Sequence, residues 1–151
     1  MVRPRQVPGK VEWAGSENDL EARYAYRLYF GQSTADVMYD FREHVIERAI
    51  ELRSVPRAVF QYDIFAFVDL FALPGESVEQ SDCASVFLHL LCDRERSDPG
   101  SVAEIYADVC ETVTHVANNQ AFFAADLDIY GDFREHAAEL ALLCKAAGAA
   151  R

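Results

Sequence analysis

The chain has 151 residues, of which 51% are hydrophobic, enough to bury one core and too apolar for a disordered segment. Its formal charge is −11, and because Arg3, Arg5 and Lys10 put +3 into the first ten residues, the remainder carries −14. A body so acidic repels nucleic-acid phosphate and anionic membranes, which argues against direct binding to either and in favour of a basic protein partner.

The opening MVRPRQVPGK lacks the apolar stretch of a signal peptide, so a cytoplasmic location is expected. It reads as a flexible basic tail, residues 1–10, ahead of a single helical domain, 11–151. KVEWAG follows as a short strand or an extended segment that covers the core with Trp13. Ser16 and Asp19 resemble a helix cap, and a first helix is predicted over about 17–30. It displays Leu20, Tyr24 and Leu28 on one face, with Tyr26, Tyr29 and Phe30 beside them. Gly31 ends it, and Ser33 or Thr34 caps a second helix over about 35–53.

Residues 55–73, VPRAVFQYDIFAFVDLFAL, are apolar on every side at helical spacing, the pattern of a helix surrounded by others. Pro56 suits its first turn and Pro74-Gly75 ends it. Arg57, Gln61, Asp63 and Asp69 interrupt it too often for a lipid-facing span. Ser77-Val-Glu-Gln80 reads as a capping box for a fourth helix to about Arg94, with Ala84, Phe87, Leu88 and Leu91 on its apolar face. Pro99 and a second box, Ser101 to Glu104, start a fifth helix reaching about Ala117. AFFAADLDIY supplies further aromatics, and the last helix runs from about Asp132 to Gly148. The fold class is therefore all-α, a compact bundle-like or orthogonal domain of five to six helices around the buried helix at 55–73.

Cys83, Cys92, Cys110 and Cys144 show no metal-ligand spacing, and Cys92, Cys110 and Cys144 sit among apolar neighbours as core fillers. Arginines outnumber lysines twelve to two, a bias that points to a GC-rich bacterial genome. A repeat is also present. DVMYDFREHVIERAIELR, from Asp36, aligns without gaps to DIYGDFREHAAELALLCK, from Asp128, matching at eight of eighteen positions and sharing DFREH.

On a helix wheel Asp40, His44 and Glu47 fall on one stripe, as do Asp132, His136 and Glu139. Glu104, Asp108, Glu111 and His115 repeat the idea on the fifth helix. Facing helices that offer carboxylates and histidines are the raw material of a di-metal site holding iron or manganese, with Asp40, His44, Glu47, Glu111, His115, Asp132, His136 and Glu139 as its candidate ligands. The wheel opposes this, because Phe41, Val45, Ala49 and Leu52 lie about 140° from Asp40. Ile105, Val109, Val113 and Val116 likewise point away from Glu104. On that reading the acidic stripes are solvated outer faces, and the expected cofactor is none.

Two functions remain open at this level. One is an acidic interaction protein, as an inhibitor, an immunity-like protein or a mimic of nucleic-acid charge, that docks on a basic partner through Glu104, Asp108, Glu111, Asp40 and Glu47. The other is a small enzyme or ligand-binding domain with a pocket between helices. Its catalytic candidates are Asp63 and Asp69, since a carboxylate on an apolar helix either pairs, with Arg57, Arg23 or Arg27, or carries a raised pKa. His89, inside VFLHLL, reads as a hydrogen-bonded core or edge histidine. Sparse cover on the last helix leaves a homodimer open.

Overall fold

The structure, a computed structural model, describes residues 3–4, 6–72 and 80–149. The described residues are helical with no strand, in agreement with the all-α expectation. They cluster into two compact units, Arg3–Leu73 and Pro74–Arg151, where composition alone suggested a single domain over 11–151. The segment around Lys10 to Gly15 forms turns rather than a strand and buries Trp13, which is 3% exposed.

In the first unit a 3₁₀ turn, Ser16–Asn18, leads into α1, Leu20–Tyr29. Asp19, not Ser16, caps α1 by accepting from the Ala22 N–H at 2.9 Å. The face turned inward is Ala22, Ala25 and Tyr29, while Leu20 and Tyr24 are exposed, the reverse of the predicted face. Two alanines let α1 lie close against α3, and close approach won over side-chain size. Helix α2, Thr34–Glu43, opens on a capping box in which Ser33 and Asp36 satisfy each other's N–H groups.

The predicted second helix is broken. His44 takes φ −135° and ψ 49°, ending α2 and starting α3, Val45–Leu52, although no Gly or Pro marks the place. Phe41, Val45, Ala49 and Leu52 are buried as the wheel required, but Arg48 and Glu51 are buried with them. Helix α4, Arg57–Ala72, is the core helix of this unit, with an unbroken buried run from Tyr62 to Phe67. Phe67 meets Phe41 of α2 edge-on at 5.2 Å, and Phe41 meets Tyr29 of α1 at 5.7 Å. Arg3, expected in a flexible tail, forms a two-pronged ion pair with Asp69 (2.8 and 2.7 Å) and lies 4.5 Å over the Phe65 ring, which fastens the start of the chain to α4.

The second unit holds α5, Gln80–Ser97, α6, Tyr106–Asn118, the short α7, Leu127–Tyr130, and α8, Phe133–Ala149. The capping box expected at Ser77 to Gln80 falls at the edge of, and mostly outside, the described residues. Helix α8 packs against both α5 and α6 and buries Phe133, Leu140 and Cys144 along one face. The predicted inward faces of α5 (Ala84, Phe87, Leu88, Leu91) and α6 (Val109, Val113, Val116) are all buried. Burial raises the thiols of Cys83, Cys92 and Cys144 to about 12, 11 and 12, so these cysteines are unreactive core fillers, whereas Cys110 is only half-buried.

The shared pentapeptide occupies unlike places. DFREH closes α2 at residues 40–44, with His44 at the break, but at 132–136 it opens α8, with the Asp132 carboxylate accepting from the Arg134 N–H at 2.9 Å. The two eighteen-residue segments therefore change direction at different positions of the alignment.

Candidate functional site

In the first unit the break at His44 assembles a buried polar cluster. Along a continuous helix Asp40 and Arg48 would be separated by about 12 Å of rise; here they form an ion pair, and Arg48 also binds Glu51 at 2.8 Å. The hydroxyl of Tyr29 donates to the second Glu51 oxygen at 2.9 Å. Burial pushes the Glu51 carboxyl up, opposed by Arg48 and by the Tyr29 hydrogen bond, and burial beside Glu51 raises the Tyr29 phenol well above its ordinary value. Such a phenol holds its proton, so the cluster fixes three helices and is a poor source of acid or base. Tyr29→Phe is expected to cost about 1–2 kcal/mol in chemical denaturation, because Glu51 loses one of its buried donors. A loss below about 0.5 kcal/mol would mean that Arg48 alone satisfies it.

The two catalytic candidates of α4 separate. Asp69 is clamped by Arg3, so its ion pair exists but with a different partner from Arg57, Arg23 or Arg27. Asp63 meets no arginine among the described residues. It is 2% exposed, its Oδ1 has no hydrogen-bond partner among the described residues, and burial raises its carboxyl to about 8. The raised value suits acid–base work, but a group so enclosed does not meet a substrate.

The candidate metal ligands do not converge. Asp40 is engaged by Arg48, while His44 and Glu47 are exposed on either side of the break. Glu111 and His115 are exposed on α6, where the Asn119 amide donates to the His115 carbonyl at 2.7 Å. Asp132 caps α8, His136 lies against His89, and Glu139 pairs with Arg96. Among the described residues no three His, Cys, Asp or Glu side chains stand where they share a metal ion. The stripe of His136 and Glu139 does turn toward α5, as its neighbour Leu143 hinted, but an arginine and a histidine meet it there.

That α5–α8 seam was not legible as a unit. The His89 and His136 rings lie 4.6 Å apart, His89 Nδ1 donates to the Ser85 carbonyl at 2.8 Å, and the Tyr130 hydroxyl donates to Asp82 at 2.8 Å. The partners are far apart in sequence, and no local spacing announces them. Of the predicted docking carboxylates of the second unit, Glu111 is exposed on α6, Glu104 is half-buried in the 3₁₀ turn before it, and Asp108 keeps one buried oxygen with no partner among the described residues.

Three of the four exposed large apolar side chains described in the second unit lie instead in the segment between α6 and α8, the fourth being Leu142 of α8. Phe122 is 68%, Leu127 62% and Ile129 75% exposed, next to the exposed Asp126 and Asp128. Gln120 holds this segment in shape: its amide donates to the carbonyls of Ala125 (3.1 Å) and Gly131 (2.7 Å), and its oxygen accepts from the Phe133 N–H (2.9 Å). No helix among the described residues is long and apolar enough to cross a membrane. Compared with known proteins, the chain matches no protein-family model, no curated protein and no solved structure.

Proposed function

We propose that the chain is an acidic interaction protein that docks on a basic partner protein through the α6–α8 segment of its second unit. The observation that carries this reading is the exposure of Phe122, Leu127 and Ile129 among Asp126 and Asp128 on a segment already ordered by Gln120. Exposed large apolar groups ringed by charge mark contact surfaces, and a preordered one loses little entropy on binding. Charge selects the partner. Residues 74–151 contain five Lys and Arg against fourteen Asp and Glu, a net of −9, whereas residues 3–73 carry nine against eleven. A second copy would bring a like charge, and nucleic acid or an anionic membrane would be repelled; a cationic surface with apolar side chains gains on both counts. Inhibition, immunity to a toxin and mimicry of nucleic-acid charge are the functions such a surface serves.

The test is calorimetric titration with a cationic amphipathic peptide of alternating Leu and Lys pairs, as a stand-in for the partner surface. Binding is expected to weaken as salt rises, and to fall at least about tenfold both in Phe122→Ser/Ile129→Ser and in Asp128→Lys. Binding unaffected by these changes would overturn the reading, as would a concentration-dependent dimer that buries the same segment.

A further inference from the structure

We infer that a groove in the first unit, between the Lys10–Gly15 turns and α1, is a binding site for a small phosphomonoester. The groove has a volume of about 350 Å³, at the lower end for small-molecule sites, and is lined by Lys10, Arg23 and Arg27 with Glu17 as the one acid, over Trp13 and Tyr26. This is a cationic site on an anionic protein. The side chains of Lys10, Arg23 and Arg27 are exposed, and none of them has an ion-pair or hydrogen-bond partner among the described residues.

Arg23 and Arg27 stand four residues apart on α1, so their guanidiniums share a face and repel. An anion between them relieves that repulsion and is held by two planar forks, a geometry that suits the oxygens of a phosphate. With Lys10 added and Glu17 subtracted the lining carries two positive charges, which match a phosphomonoester dianion. The half-buried Tyr26, backed by the largely buried Trp13, gives the organic group of an ester an apolar wall. Trp13 packs edge-on against Tyr26 at 5.3 Å, Tyr26 stacks on Phe30 at 4.6 Å, and the buried Nε1–H of Trp13 has no acceptor among the described residues. The first unit, with nine Lys and Arg against eleven Asp and Glu, opposes a dianion far less than the second unit does.

Trp13 is the single tryptophan of the chain, so its fluorescence reports this groove directly. Phenyl phosphate, inorganic phosphate and phenol are the probes to titrate. Phenyl phosphate is expected to give a saturable change with a Kd of about 1 mM or tighter. Inorganic phosphate is expected to bind at least about tenfold more weakly, and phenol to give no saturable change. The double variant Arg23→Gln/Arg27→Gln, with unchanged far-UV circular dichroism, should lose at least about tenfold in affinity, while Lys145→Gln in the second unit should bind as the parent does. A change that does not saturate, or one that persists in the double variant, would overturn the assignment. Equal affinity for inorganic phosphate and phenyl phosphate would overturn the ester half of it.

Discussion

Asp63→Asn is expected to stabilise the protein, and to do so far more at about pH 9 than at about pH 4. Asp63 is 2% exposed with an unpartnered Oδ1, and burial raises its carboxyl from 3.8 to about 8. Between those values the native chain holds a proton that the unfolded chain has released. The stability associated with that proton is fully present below the unfolded value and is lost as pH rises through the folded one. Asn resembles the neutral acid in shape and cannot ionise, so parent and variant should be nearly equal at about pH 4 and diverge steadily to about pH 8. A displacement of this size corresponds to a gain on the order of 3–5 kcal/mol at the alkaline end. Every other titrating group is shared by the two proteins and cancels in the difference, apart from Tyr29 and Tyr62, whose phenols sense the Asp63 charge. Parallel curves of Tm against pH would show that the carboxylate is ionised in the native state and that an unseen donor satisfies it. The divergence also bears on function: a carboxyl kept neutral by enclosure alone is a cost to the fold, and removing it should leave binding by either unit unchanged.

The same residue shows what the sequence makes legible. An acid on the all-round apolar run at 55–73 was visible as an anomaly, and the run itself became α4 within a few residues of its predicted bounds, because a core helix carries its signal on every face. The inward faces of α5 and α6 were equally plain, since Val, Leu and Phe at helical spacing need only local sequence to declare themselves. Three other features depended on partners distant in the chain. Leu20 and Tyr24 outweighed Ala22 and Ala25 on a hydrophobicity wheel, yet α1 buries its small face, because α3 can approach alanines closely. Nothing around His44 breaks a helix locally, and the backbone change there is repaid by the ion pair it permits between Asp40 and Arg48. Helical spacing makes the acidic ridge of Glu104, Asp108 and Glu111 visible in the sequence. The segment ordered by Gln120 holds only the single turn of α7, too short to show a period by which to recognise it.

Ser101 to Glu104 fits the spacing of a capping box, but no such cap forms, and the group that displaces it sets the second large effect. The Ser101 hydroxyl donates to the Arg94 carbonyl at 3.2 Å. The Ser101 and Glu104 N–H groups that the box would have served donate instead to the Asp98 and Gly100 carbonyls, each at 3.0 Å. Glu95, from the preceding helix, takes the N–H groups between and beside them: one oxygen accepts from Gly100 at 2.7 Å, the other from Val102 at 2.7 Å and Ala103 at 3.1 Å. Glu95 is 2% exposed, so these are charge-assisted bonds shielded from water, and they fix the 3₁₀ turn, Ala103–Ile105, that leads into α6. Gly100, at φ 104°, supplies the left-handed bend that brings its own N–H to the carboxylate. Glu95→Ala strands all three donors. It is expected to cost about 4 kcal/mol in chemical denaturation, less than three separate charged bonds because all three share one desolvated group. Glu95→Gln should cost about half as much, since its oxygen still accepts from Val102 and Ala103 while its NH₂ group faces the Gly100 N–H, donor against donor. Amide hydrogen exchange should accelerate first at Gly100, Val102 and Ala103 in both variants. A loss below about 1 kcal/mol in Glu95→Ala, with exchange unchanged at those three positions, would mean that the turn holds without the carboxylate and that the register of α6, and of the Glu111 it carries, is set by its buried valines alone.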